Sequence, residues 1–119
     1  MADTSVLTQV GEERIVDLYD ANAGSEYIGW GTGGGTAVKG DTTLATEVDS
    51  RVAATRTQVV ADKLQWVGTM TAGAGETITN VGILTATPTG GILLAHSSFT
   101  GVALNSGDQI SFTIQMEIT

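Results

Sequence analysis

The most regular pattern in the chain lies near its C-terminal end. Ile110, Phe112, Ile114, Met116 and Ile118 alternate with Ser111, Thr113, Gln115 and Glu117. Strict alternation of this kind predicts a β-strand with one buried face and one polar face, its final residues pinned inside a sheet. The period of two reaches back to Arg51. Residues 51–60 alternate weakly. Residues 63–71 place Leu64, Trp66 and Met70 on one side, with Gly68 interrupting, and Ala61-Asp62 between the two runs predicts a hairpin. Residues 77–87 form the next strand. Its Ile78, Val81 and Ile83 do not keep strict phase, which predicts a bulge near Asn80-Val81. Residues 92–99 form another strand and residues 100–107 a loop. Turns are expected at Ala72-Gly73-Ala74-Gly75, Pro88-Thr89-Gly90-Gly91 and Asn105-Ser106-Gly107-Asp108.

The N-terminal part has a different period. Over residues 5–22, Leu7, Gly11, Ile15, Leu18, Tyr19 and Asn22 fall on one helical face, with Thr4 or Ser5 as cap and Gly24 as the stop. Glu12, Glu13, Asp17 and Asp20 fall on the other face, which reads most plainly as solvated; the sharper reading is an arm that docks on a neighbouring subunit. Residues 25–30 read as a short strand. Four of the five residues Gly31–Gly35 are glycine, so a loop follows. Asp41 then stands where it would cap a short helical turn containing Leu44, Glu47 and Val48. The pattern predicts a mainly β protein, an antiparallel β-sandwich (jelly-roll-like) of about 6–8 strands with an N-terminal helix. Residues 1–24 form the helix or arm in this reading and residues 25–119 the sandwich.

Composition narrows the function classes. A chain of 119 residues is one domain by size. Aromatics are only 5%, so Val, Ile, Leu and Ala must build most of the core. The net charge is -8 with five basic residues, which argues against a nucleic-acid partner and against binding to an anionic membrane. There is no cysteine and hence no disulfide or thiolate metal site. No apolar run is long enough to span a membrane as a helix. Met1-Ala2-Asp3-Thr4 has neither a basic nor an apolar leader region, so assembly in a cytoplasm is the expectation.

Candidate chemistry is sparse. Gly29-x-Gly31-x-x-Gly34 matches the letters of a dinucleotide fingerprint, but no βαβ unit follows it, and Asp41 at the next predicted helix start would repel phosphate. His96 is the single histidine, so no imidazole cage for a metal is available. Ser98 would share its strand face, yet no acid is legible to orient the pair. Asp41, Glu47 and Asp49 could converge on a cation, although a capping Asp and solvated carboxylates explain them more simply. The reading therefore assigns no catalytic residue, no cofactor and no metal ligand. Trp30 and Trp66 are expected in the core, but the glycines flanking Trp30 could leave its ring partly open. The interface candidates are Trp30, Leu7, Ile15, Leu18 and Tyr19.

The run Tyr27-Ile28-Gly29-Trp30-Gly31-Thr32-Gly33-Gly34-Gly35-Thr36, followed by Asp41-Thr42-Thr43-Leu44-Ala45-Thr46-Glu47-Val48 and Arg51, resembles a pattern in small structural proteins of tailed phages and archaeal viruses. There a strand IxxGTG is followed by DTxLxxEV and an arginine. Glu76 to Leu84 resembles their xxITxVGLF strand. Gly90 to His96 resembles GTLLAR, with His96 where a basic residue is usual, and Leu104 to Ile110 resembles LxxGDxI before a terminal strand. The resemblance covers residues 26–119 and leaves the helix outside. It implies a β-sandwich located in the virion, assembled in the host cytoplasm, whose partners are a major capsid protein or other virion proteins. A homo-oligomer is implied too, with a trimer favoured. Capsid decoration comes first, and a tail or fibre role is the alternative. From other classes, a carbohydrate-binding sandwich using Trp30 comes third and an enzyme last.

Overall fold

A computed structural model describes residues 5–22 and 24–118 of the chain. One helix, α1 (Gln9–Asn22), precedes seven strands: β1 (Tyr27–Gly31), β2 (Glu47–Ala53), β3 (Thr55–Val60), β4 (Lys63–Thr71), β5 (Glu76–Leu84), β6 (Leu93–Leu104) and β7 (Gln109–Glu117). They form an antiparallel β-sandwich. One sheet has the order β2-β1-β5-β6 and the other β3-β4-β7. Ile28 and Trp30 of the first sheet meet Leu64, Trp66, Met70 and Ile114 of the second, and both tryptophans are fully buried.

The alternating runs became strands because one face of each could be buried. β4 spans the expected residues, and β7 pairs with it over nine consecutive positions, from Lys63 with Glu117 to Thr71 with Gln109. β7 is an edge strand, held by β4 on one side only, rather than lying inside a sheet. Gly68 interrupts the apolar side of β4 for a steric reason. A Cβ there would lie 2.8 Å from Cδ1 of Ile28, which fills the gap from the opposite sheet. The run 51–60 is two strands, not one. It breaks at Ala54, whose amide donates to the Glu26 carbonyl (3.0 Å) as the chain passes from one sheet to the other. The bulge expected near Asn80 appears as a register shift between Ile78 and Asn80 against β6. β6 continues to Leu104, so the loop expected at residues 100–107 is shorter. Val102, Ala103 and Leu104 pair with Ile78, Thr77 and Glu76.

Three local expectations are corrected. No helical turn follows Asp41. Residues 41–46 are irregular and lead into β2, with Thr46 (φ 50°) and Asp49 (φ 63°) in the left-handed region. The helix also begins later than expected, at Gln9, where the Thr8 hydroxyl accepts from the Gly11 amide (3.2 Å); Thr4 lies outside the described residues. Its buried face coincides with the expected apolar face only at Tyr19, which packs partly against the core. Val16 enters the core at 1% exposure, while Leu7, Ile15 and Leu18 remain 50%, 44% and 46% exposed. The acids expected in solvent explain the rotation. Asp17 accepts from the Gln58 amide (2.8 Å), Asp20 pairs with Arg56 (2.9 Å), and Gln9 donates to Asp62 (3.1 Å). These contacts tie α1 to β3 and to the turn after it, with the side chains of Leu7, Ile15 and Leu18 facing outward.

Candidate functional site

The glycine-rich segment after β1 forms the most elaborate local structure. Gly29 and Gly31 of β1 and Gly82 of β5 make a flat floor on the outer face of the first sheet. Cβ atoms at Gly29 and Gly82 would lie 2.9 and 2.8 Å from the Leu44 methyls, and one at Gly31 would collide with the Ala45 carbonyl. Leu44 is buried on this floor. The fingerprint-like spacing of glycines therefore admits a leucine and a backbone turn of the same chain. The loop is pinned from several sides. Thr32 and Gly33 amides donate to the Thr46 and Ala45 carbonyls (3.1 and 2.9 Å). The Thr79 hydroxyl donates to the Gly33 carbonyl. Asn80 is buried and binds Ala45 with both ends of its amide, Oδ1 accepting from the amide (3.0 Å) and Nδ2 donating to the carbonyl (3.1 Å).

That orientation of Asn80 determines what His96 does. His96 Nε2 lies 3.0 Å from the same Asn80 Oδ1, an acceptor, and Nδ1 lies 2.7 Å from Asp41 Oδ2. Both ring nitrogens are thus held, Nδ1 at the Asp41 carboxyl and Nε2 at the Asn80 side-chain amide. Asp41 also accepts from the Val38 amide (2.8 Å), and this bond, followed by the His96 bond, holds its carboxyl below the usual carboxylate range. An acid thus orients His96 after all, from a loop 55 residues away in sequence. Ser98 lines the same hollow but accepts from the Ala37 amide (2.9 Å). The network ties the loop to β6. Between loop residues 37–41 and Leu93–His96 a cleft of about 390 Å³ remains open.

The other acidic candidates do not meet at Asp41. Glu47 forms a two-pronged pair with Arg51 (2.7 and 2.9 Å), whose remaining nitrogen donates to the Ala86 and Gly90 carbonyls (2.7 and 2.9 Å). β2 bulges between its pairings with Ile28 and Trp30, which brings Glu47 and Arg51 together. Asp49, inside that bulge, accepts from the Trp30 indole N–H (2.8 Å) and the Gly73 amide (3.1 Å). The neighbouring Asp49 carboxyl, and then burial, push the Glu76 carboxyl above its ordinary pKa, and Glu76 Oε2 is buried with no hydrogen-bond partner among the described residues. Among the described residues, no three His, Asp or Glu side chains gather where they could hold a metal ion.

The interface candidates separate into two kinds. Trp30 is fully buried, packed edge-on against Phe112 (6.1 Å between ring centres), so the expectation of a partly open ring is corrected. The flanking glycines make room for Leu44 and Ala45 and do not expose the indole. Ile15 and Leu18 are open on the helix, and Leu7 is open just before it. Tyr19 is partly buried, with the Arg56 guanidinium 5.7 Å from its ring centre; burial and then Glu26 raise its phenol pKa. Sequence reasoning missed the centre of this anchor. Glu26 is buried and joins Arg56 to the Trp66 indole N–H (2.9 Å). A lone acid just before an apolar strand, with an arginine on a later strand, was the available signal. Compared with known proteins, the chain matches no family model, and a search of curated proteins finds no match either.

Proposed function

We propose that this chain is a virion structural protein, a capsid-decorating protein that acts through protein–protein contacts rather than turnover. The carrying observation is the exposed apolar set of Leu7, just before α1, and Ile15 and Leu18 on it, which faces away from the sandwich that the helix's polar side chains contact. A set of this kind suits contact with neighbouring copies, and a closed ring of three is the favoured arrangement. The motif resemblance supports the same reading. Its segments fall on β1, the pinned loop, the Glu47–Arg51 pair, β5, the start of β6 and the turn into β7. A rigid acidic module of this type stays soluble before assembly and gains stability from its neighbours afterwards. The major capsid protein is the partner proposed, with a tail or fibre position as the alternative.

The carbohydrate-binding alternative relied on an open Trp30 ring, and the indole is buried with its N–H on Asp49. Quantitative protein counting on purified particles tests the proposal. Copy numbers comparable to the capsid subunit support decoration. A few copies per particle move the protein to the tail or a fibre, and absence from particles ends the virion reading.

A further inference from the structure

The sandwich has two unlike flanks. β2 and β3 follow one another through Ala54 on one side, where Glu47, Asp49, Arg51 and Arg56 lie and where Asp17 and Asp20 of α1 reach Gln58 and Arg56 of β3. β6 and β7 follow one another through the turn at Asn105–Asp108 on the other side. Each is the outer strand of its sheet, β6 paired with β5 and β7 with β4. This second flank has none of the lysines, prolines or inward charges that guard a sheet edge, and its one such defence is the irregular register of β6 against β5, which shifts between Ile78 and Asn80 and between Ile83 and Leu84. β6 is 12 residues long and contains no Asp, Glu, Lys, Arg or Pro. β7 has one charged residue, Glu117, at its end, and its nine pairs with β4 run without a bulge. From Thr77 to Gly107 the chain carries no Asp, Glu, Lys or Arg at all.

Both phenylalanines of the chain also sit here. Phe99 of β6 and Phe112 of β7 lie 6.4 Å apart between ring centres, across the two sheets, and each is only partly buried. We infer that this flank is a self-association surface, where β6 and β7 of a second copy pair edge to edge with their counterparts. A twofold axis perpendicular to the sheets would set β6 antiparallel to β6 and β7 antiparallel to β7, and Phe99 and Phe112 would be covered. The charge pattern favours a second copy as the occupant. Two molecules of net charge -8 repel each other over most of their surfaces, and this flank lets them meet without facing carboxylates. The inference does not depend on the virion reading.

The test is a double variant, Ser97→Lys with Thr113→Lys, one exposed position on each edge strand. Sedimentation equilibrium and hydrogen exchange are measured on the wild type, this variant and Leu18→Glu. The wild type is expected to associate, with slow exchange in β7. The lysine pair should weaken that association by about tenfold or more through like-charge contact and speed β7 exchange, with an unchanged circular dichroism spectrum. Wild-type protein that stays monomeric at millimolar concentration overturns the inference. So does association that Leu18→Glu abolishes and the lysine pair leaves intact, a result that would keep the helix-mediated oligomer. Association only with a different virion protein would also overturn it.

Discussion

The Ala45 carbonyl oxygen occupies the space that a side chain on Gly31 would need. The Thr46 carbonyl is also within 2.9 Å of that Cβ position. Both obstacles are backbone, and Ala45 is held at each end by Asn80. Gly31→Ala must therefore displace the whole loop. A loss of about 1–3 kcal/mol or more is expected from overpacking of this kind. Gly34→Ala, with nothing within 4 Å of the new Cβ, should stay within about 0.5 kcal/mol. Urea melts of the two variants check the contrast, and equal losses would mean that the loop is not seated on Gly31.

Gly68 and Ile28 offer a different kind of contact, because the obstacle is the mobile end of a side chain. Gly68→Ala alone presses on Ile28 Cδ1. Ile28→Val removes that methyl and alone costs about 0.5–1.5 kcal/mol. The double variant should be more stable than the sum of the single losses predicts, with a coupling of about 0.5–3 kcal/mol. A double-mutant cycle by chemical denaturation measures it, and strict additivity would exclude the packing described.

Local information was enough for β4 and β7, since the alternation of Leu64, Trp66 and Met70, and of Ile110 to Met116, is independent of distant partners. The rotation of α1 was not legible, because Asp17 and Asp20 find Gln58 and Arg56, 41 and 36 residues away. Glycine spacing around Trp30 was read as exposure of the ring. Its meaning required knowing that Leu44 returns over Gly29 and Gly82 from the other side. Asp41 resembled a helix cap because the positive φ angles of Thr46 and Asp49 leave no local trace in residue type strong enough to forbid a helical turn. The His96 network failed for the same reason as the helix face, since its acid lies on a remote loop.

Arg56 should be the most sensitive polar position. It contacts Asp20, Glu26 and the Gly24 carbonyl, and Glu26 is buried. Burial works against the Arg56 charge, and the Glu26 and Asp20 carboxylates outweigh it, leaving the guanidinium pKa raised. Arg56→Ala strands the Glu26 charge in the interior, and breaking a buried pair in this way costs about 3–5 kcal/mol. Glu26→Gln keeps an oxygen for the Trp66 indole and leaves Arg56 its Asp20 partner, so its loss should be smaller. Limited proteolysis should cut Arg56→Ala first between α1 and β1. Equal stability of the two variants would count against Arg56 as the partner that holds Glu26 in the interior.

Asp41 and Glu76 should give the stability profile two opposite slopes. Asp41 has a lowered pKa in the fold, so folding favours its ionised form. Its contribution is present above the ordinary carboxylate range and disappears as the pH falls through the lowered value. Glu76 has a raised pKa, so folding favours its protonated form, which can donate to Asp49. Its contribution is complete below the ordinary glutamate pKa of about 4.3 and is lost as the pH rises through the raised value. Glu76→Gln carries a permanent donor in the same place. Relative to the wild type it should gain melting temperature as the pH rises from below the ordinary glutamate pKa towards neutrality, while Asp41→Asn should lose its deficit as the pH falls below the ordinary carboxylate range. Thermal melts across this range separate the two. A Glu76→Gln difference that is the same at both ends would show that the closeness of the Asp49 and Glu76 carboxyls does not govern the neutral slope.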